Sequence, residues 1–535
     1  MPRMPSSILV GISLPLWLSV VAAQNFIPLS NYTDYGSLQQ CQMVCLNGGA
    51  AYDDPKTAQA SCGNLINQLN GVDGCVVNSL ASQCSANATA AYGAKSILAA
   101  YCTTEIALEG VNIPSTTVLP PTSCDLPPKR LQKHPPKASP RHRLPLRPPH
   151  PVTRAKKGGF KDAHDHELLA HVLKATLAAH PNLDPHLIND IQIGTVLSEL
   201  GGHKAGRMAA IHAGVPETVA FQTVNRACSS GLAAITGVAH AIAMGQIDIG
   251  IGGGMESMTR NYGSRAIPTQ LWEELRDSPV QNARDCVMSM GITAENVAER
   301  YGVSRAEQDA FAARSHQKAA KAQREGLFDK EIVEVTTRWH PDAEKPEAAE
   351  EITVRKDDGI RPTSSAESLA KMKPAFKPDG TATAGNSSQV SDGAAATLMM
   401  RRSTASALGL EKDIIGKWAG TQVIGCKPDE MGIGPALAIP KLLEYTGVSK
   451  EEIGIWEINE AFASQAIYCV RTLGIDENLV NPKGGAIALG HPLGATGARQ
   501  LATLLPEMER QGKEMGVISM CIGTGMGMAS LIVRE

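Results

Sequence analysis

Beyond about residue 150 the chain alternates two kinds of apolar run. Asp190 to Leu197, Val219 to Val224 and Ile247 to Gly254 are short and dense in apolar residues, so they read as strands. Glu167 to Ala179 and Leu232 to Met244 instead space their apolar and small residues at the helical period. Strand alternating with helix predicts a parallel-rich layered sheet. Between about 257 and 384 the regularity loosens into amphipathic helices (Thr293 to Arg324), a charged loop (Pro341 to Asp358) and a basic segment (Lys371 to Lys377). So long an insertion suits a lid over a substrate. The α/β pattern resumes near Ala405 and runs to Glu535, with apolar strands expected just before Asn459 and from Gly516 to Met520.

The two halves repeat one layout. In the first, the strand ending at Val224 runs into Asn225-Arg226-Ala227-Cys228-Ser229-Ser230-Gly231, and a helix leaves that turn. In the second, Asn481 opens a glycine-rich turn holding Gly490-His491-Pro492, a helix follows, and a strand ends in Cys521-Ile522-Gly523-Thr524-Gly525. A duplicated α/β unit is implied, and strand ends are where such sheets collect ligands. Cys228, His491 and Cys521 are therefore candidates for one cleft, with Asn459-Glu460 at the end of a further strand. A free cysteine is commonly no more than a small buried hydrophobe. At a helix N-terminus, however, the macrodipole favours the thiolate, and we expect the Cys228 pKa to be lowered. Composition narrows the partners: a net charge of −3 points to neither nucleic acid nor an acidic substrate, and aromatics at 4% leave little to stack bases on.

The blocks NRACSSG (225–231), GGMESMT (253–259), MGITAENVAER (290–300), AGNSSQVSDGAA (384–395), NEAFASQA (459–466), GGAIALGHPLGATGAR (484–499) and CIGTGMG (521–527) resemble, in this order, the signature blocks of the thiolases. The resemblance is to their degradative 3-ketoacyl-CoA branch of the peroxisomal type, and it runs from about Val152 to Glu535. It implies an α/β fold of five layers, αβαβα, built from two duplicated halves that associate as a homodimer. It implies coenzyme A and acyl-CoA as substrates, no permanently bound cofactor and no metal. It also implies roles. Cys228 would be the nucleophile that carries the acyl thioester, His491 its proton acceptor, and Cys521 the acid and base at the α-carbon. Asn459 would hold an oxyanion water, and the Gly523 N–H would be an oxyanion donor. Met290 would line the acyl site, while Arg361 and Ser388 would meet CoA. Ser289 stands where acetoacetyl-CoA-specific members place a histidine, which implies longer substrates. The reaction implied is thiolytic cleavage of a 3-ketoacyl-CoA to acetyl-CoA and a shortened acyl-CoA, as in fatty-acid β-oxidation, with Claisen condensation as its reverse.

The first 157 residues do not share this pattern. Met1 to Ala23, with Arg3, an apolar core from Ile8 to Val21 and a small-residue end, reads as a cleavable signal for the secretory pathway. Residues 24–124 hold seven of the twelve cysteines and glycosylation-type triplets at Asn31 and Asn87, and read as a disulfide-stapled secreted segment. Residues 125–157 are proline-rich and basic, a disordered linker. Beyond the leader we expect no segment long and apolar enough to span a bilayer, hence no stable membrane insertion. By resemblance the first thiolase half (158–404, insertion about 257–384) should be preceded by an apolar strand, and the second half is 405–535. Arg141 to His150 reads RHRLPLRPPH instead, and from that run we expect no strand, because proline removes ladder donors and arginines resist burial. The leader points to secretion and the catalytic part, by resemblance, to the peroxisome. Reduced Cys228 and Cys521 do not suit an oxidising compartment, so the whole reads as a composite.

Rival readings differ in testable ways. A β-ketoacyl synthase-like condensing enzyme shares the architecture and the nucleophile, but Cys521 argues against it. An acetoacetyl-CoA thiolase is opposed by Ser289. A dinucleotide oxidoreductase would need GxGxxG after a strand, and Gly490, Gly494 and Gly497 are not so spaced. From another class, the chain would be a secreted cysteine-rich protein with a non-catalytic thiolase passenger, and acylation of Cys228 by acyl-CoA separates that reading from the enzyme.

Overall fold

The structure, a computed structural model, describes residues 144–145, 150–342 and 346–535. The leader expected at 1–23, the cysteine-rich segment 24–124 and most of the 125–157 linker lie outside the described residues.

Among the described residues the strands are β1 (Leu144–Pro145), β2 (Thr153–Arg154), β3 (Asp190–Gly194), β4 (Ala220–Val224), β5 (Ile249–Ser257), β6 (Val335–Trp339), β7 (Glu350–Val354), β8 (Ser391–Met400), β9 (Ile414–Gly425), β10 (Ile455–Ile458), β11 (Met515–Ile522) and β12 (Met526–Arg534). One sheet has the order β2-β8-β5-β3-β4 and the other β1-β9-β12-β11-β10. In each, parallel strands (β3, β4 and β5; β10 and β11) meet an antiparallel closing strand, β8 or β12. Of these, β5 and β11 are buried on both faces, which is why they read as unbroken apolar runs.

Between the sheets lie two helices, Ser230–Met244 and Thr496–Gln511, whose Leu232, Ile235, Leu501 and Leu504 share a core with Met399, Ile518 and Met520. Helices Asp165–Ala178 and His203–His212 cover the outer face of the first sheet, and Gly434–Thr446 and Ala463–Leu473 that of the second. The result is the expected five layers, α-β-α-β-α. Ala227–Met244 turns out to be long and apolar enough to cross a membrane, contrary to expectation. Its position explains this: a helix sandwiched between two sheets has no polar face to present. The insertion differs in detail too. The amphipathic helices are Met290–Arg300 and Arg305–Arg324, and the charged loop contains β7, which pairs with β6 as a hairpin.

The run from which we expected no strand does supply one. Leu144–Pro145 pairs with β9 at the edge of the second sheet, and Thr153–Arg154, within the stretch assigned to the linker, pairs antiparallel with Asp392 and Ser391 of β8. The pairing is nonetheless much reduced. The equivalent strand of the second half, β9, pairs with its closing strand from Met526 to Arg534. The backbone donors of the segment are still taken up, partly by side chains and partly by carbonyls of and beside β8. Val152 N–H donates to Asp357 Oδ1 at 2.6 Å and Arg154 N–H to Asp358 Oδ1 at 2.7 Å. The His150 N–H reaches the Ala394 carbonyl at 3.0 Å, and the Ala155 N–H reaches that of Val390 at 2.9 Å. Asp357 is also held in two parallel hydrogen bonds by the buried Arg499, at 2.9 and 2.7 Å. Proline thus limits the ladder without orphaning the segment, because carboxylates from a distant loop accept its N–H groups.

Asp357→Ala should release the segment and leave the buried Arg499 without its carboxylate partner, a loss of about 3–5 kcal/mol. Calorimetry should show a clearly lowered Tm, and an unchanged Tm would mean that the aspartate clamp carries no stability.

Candidate active site

Cys228 stands two residues before the helix Ser230–Met244, on a turn in which Ala227 has a φ of +44°. That left-handed backbone is costly for alanine, and two side chains hold it. Asn225 Oδ1 accepts the Ala227 N–H at 3.0 Å, while Ser230 Oγ accepts from Arg226 N–H at 2.8 Å and donates to the Ala227 carbonyl at 2.6 Å. The thiol is buried at 8% exposure. Burial pushes its pKa up to about 11, opposed by the Gly523 N–H and its own N–H. The expected lowering is therefore not found in this resting state, since desolvation of the charge outweighs the turn's donors.

The Gly523 N–H that reaches Cys228 comes from the second half, just beyond β11, and Cys521 lies on β11 itself. Cys521 is fully buried, and its thiol is held well above the usual range by that burial and by the neighbouring Cys228, Cys469 and Cys426. A Cβ at Gly523 would lie 3.6 Å from Ala227 Cβ and 3.7 Å from Met290 Sδ, so Met290 edges the same place. Cys521 also packs with Met431 and Ala461, against Met290 and Phe462.

His491 follows Gly490 at a turn against β8, with its N–H donating to the Gln389 carbonyl at 3.1 Å. Thr496 Oγ1 gives its hydrogen to the Pro492 carbonyl at 3.0 Å, so it accepts from His491 Nδ1–H at 2.6 Å. That leaves the lone pair on Nε2, where the Asn459 amide nitrogen approaches at 3.4 Å. Burial holds His491 down to about 4, so the ring is neutral at pH 7 and able to take a proton. Asn459 does not cap the next helix, whose N-cap is Phe462. It is positioned by Asn481, whose side chain accepts the Ile458 N–H at 2.9 Å and donates to the Ile458 carbonyl at 2.8 Å.

Ser388 and Arg361 sit farther out. Ser388, half-buried, donates its N–H to the Ala461 carbonyl at 2.9 Å, beside the Asn459 segment. Arg361 is exposed and donates its N–H to His316 Nδ1 at 3.2 Å. The structure thus brings Cys228, Gly523, Cys521 and Met290 together and pairs Asn459 with His491, with Arg361 at the surface.

Sequence reasoning missed Glu256. Its buried carboxylate accepts from Val196 N–H at 3.0 Å, Leu197 N–H at 3.1 Å and Gly494 N–H at 2.9 Å, tying the histidine turn to the strand ends of the first half. Burial raises its pKa to about 7 against these donors. A charged residue inside an otherwise apolar strand was the available signal. Thr496, five residues after His491, gave none.

Residues 150–403 match the model of the thiolase N-terminal domain and 412–534 that of the thiolase C-terminal domain. The peroxisomal 3-ketoacyl-CoA thiolase of Yarrowia lipolytica is 52% identical over 383 residues, which span 72% of this chain and 90% of that protein. Among solved structures, the dimeric peroxisomal thiolase of Saccharomyces cerevisiae superposes with a TM-score of 0.68 at 44% identity, covering 75% of this chain and 99% of the other. A second structure of the peroxisomal 3-ketoacyl-CoA thiolase of that yeast, described as five-layered and built from two core domains of identical topology, gives a TM-score of 0.60 at 40% identity over 76% and 100%.

The histidines make stability depend on pH. Burial lowers His150 to about 3 and His316 and His491 to about 4, whereas unfolding restores each to ~6.5. A folded pKa below the unfolded one stabilises above ~6.5 and is lost as pH falls toward 4, so Tm should drop across that window. Both ring nitrogens of His150 are buried without a hydrogen bond among the described residues. His150→Leu should therefore raise stability by about 1–3 kcal/mol, more at pH 5 than at pH 8. A variant less stable than the parent at pH 5 would contradict this account.

Proposed function

The chain belongs to the thiolase family, and from that premise we propose that it cleaves 3-ketoacyl-CoA with CoA to give acetyl-CoA and an acyl-CoA two carbons shorter. The observation that carries the reading is the meeting of the Cys228 sulfur with a Gly523 N–H from the other half, beside the second buried thiol, Cys521. The nearby histidine turn presents an unprotonated Nε2.

In this reading the Cys228 proton passes to His491 Nε2 as the sulfur attacks the 3-keto carbon. The thiol therefore stays neutral until substrate is in place, consistent with its high resting pKa. The new alkoxide collapses, the C2–C3 bond breaks, and the acyl group remains on Cys228 as a thioester. The departing enolate of acetyl-CoA takes the Cys521 proton at its α-carbon. Its oxygen is met by His491 and, through a water, by Asn459. A CoA thiol then gives its proton to the Cys521 thiolate and attacks the thioester. The Cys228 and Gly523 N–H groups hold the oxyanion, and Cys228 regains its proton from His491. One oxyanion donor is worth about 10²–10³ in rate.

Met290 lines the acyl chain, Ser388 and Arg361 meet CoA, and no resident cofactor is needed. Ser289, at the exposed start of the helix Met290–Arg300, leaves room for acyl groups longer than acetoacetyl. The homodimer reading finds support in β4, among the described residues an edge strand with partly exposed side chains, near the exposed Leu200, Met208 and Ile211. The named relatives are peroxisomal, and we assign the catalytic part to that compartment.

Cys228→Ala should lose both acylation and cleavage, with activity near the uncatalysed background. An acyl adduct detected by mass spectrometry on that variant would refute the assignment, and failure of the parent chain to be acylated would favour the passenger reading. Cys521→Ala should still load an acyl group from acyl-CoA within a few-fold of the parent rate. Its cleavage of 3-ketoacyl-CoA should fall by about 10²–10⁴, the usual worth of a general acid. Equal loss of both activities would show that Cys521 has another role.

A further inference from the structure

Behind the His491–Asn459 pair is a cavity with about 30 Å³ of room for water centres. Its walls include Asn459, Thr496, Arg499, Gln500 and Glu457. Three of these bury an oxygen that has no hydrogen-bond partner among the described residues: Asn459 Oδ1, Gln500 Oε1 and Glu457 Oε1. An unsatisfied buried oxygen is costly, and one water needs only roughly 10–15 Å³ of such room. The nitrogens are already used, since Asn459 Nδ2 faces His491 Nε2 at 3.4 Å and Gln500 Nε2 donates to the Glu457 carbonyl at 3.1 Å. What the cavity offers is therefore a set of acceptors in want of donors.

The other charged groups around Glu457 settle its own part. Burial and the neighbouring Glu507 and Glu460 raise its carboxyl well above the usual range, against Lys318 and Arg499. Protonated, it has an O–H to give. A water that accepts from this O–H has two hydrogens left, one for Gln500 Oε1 and one for Asn459 Oδ1, and every group is then satisfied.

We propose that this cavity is an internal water site and that Glu457 is a positioning residue, which acts through the water to keep the Asn459 amide nitrogen turned toward His491 Nε2. The kinetic consequence rests on the thiolase reading above, but the water itself does not. If the amide turned over, its oxygen would face the Nε2 lone pair. That arrangement favours the protonated ring and raises the His491 pKa, so that less of the enzyme has its base free.

The test combines a crystal structure of the full chain, at a resolution that shows ordered solvent, with kinetics of three variants. Solvent should appear between Asn459, Gln500 and Glu457. Glu457→Gln, whose amide N–H replaces the O–H, should keep kcat within about two-fold. Glu457→Leu should move the acidic limb of the pH–rate profile upward by about one unit, so that kcat measured on that limb falls by up to about ten-fold with KM little changed. Gln500→Leu, which removes the acceptor on the opposite wall, should show the same upward shift should Glu457→Leu fail to fold. A dry cavity would overturn the proposal. So would a Glu457→Gln variant as slow as Glu457→Leu, or slow leucine variants with an unmoved acidic limb. A parent enzyme without thiolytic activity would instead sink the thiolase reading, and the solvent between the three oxygens would still decide the water site.

Discussion

The histidine turn of the second half lies directly against the strand ends of the first, backbone on backbone. A Cβ on Gly231 would stand 2.6 Å from the Gly494 carbonyl, one on Gly494 would stand 2.6 Å from Thr195 Cα, and one on Gly254 would collide with the same carbonyl. Only glycine leaves room for that contact. Glu256 fastens it, accepting N–H groups from both sides. With the two halves joined at this depth, Gly523 can donate to Cys228 and Cys521 can share its surroundings. The site is a property of the seam, and neither half contains it.

Burial at that seam also sets the resting protonation. The thiols are pushed up and the imidazole is pushed down, so the cysteine and histidine rest neutral and not as an ion pair. In the proposed reaction charge arises only as the sulfur attacks, beside the Cys228 and Gly523 N–H groups that already face it. Preorganised donors in a dry site are worth most at that moment. The hydrogen bond from His491 Nδ1 to Thr496 selects the tautomer that makes this possible.

Far from the thiols, the edge of the first sheet shows how an unpromising sequence is accommodated. A proline-rich run cannot form a long ladder on β8, and among the described residues its strand pairing there is Thr153–Arg154, flanked by the His150 N–H bond to Ala394. Asp357 and Asp358 accept the backbone donors nearby, and Asp357 is in turn gripped by Arg499 from the central helix. Val152, fixed in this way, and Arg499 both wall the cavity behind Asn459. The N-terminal edge and Asn459 are thereby parts of one packed region.

Much of this was legible in the chain itself. Strands buried on both faces must be apolar throughout, and helices between sheets must be small and apolar, so periodicity marked strands and helices, while the five-layer order came from the resemblance. The repeated sequence of strand, polar turn and helix marked Cys228, His491 and Cys521 as groups at strand ends, because local backbone geometry follows from local residue types. The pKa of Cys228 was not legible. The helix N-terminus is a local feature, whereas the burial that overrides it comes from the other half of the chain. The same holds for Glu256, whose three donors lie near 196 and at 494, and for the edge strand, whose partners are carboxylates some 200 residues away. Sequence determines what each segment does with its neighbours along the chain. Desolvation and long-range hydrogen bonds depend on what folds against it, and only the tertiary structure decides that.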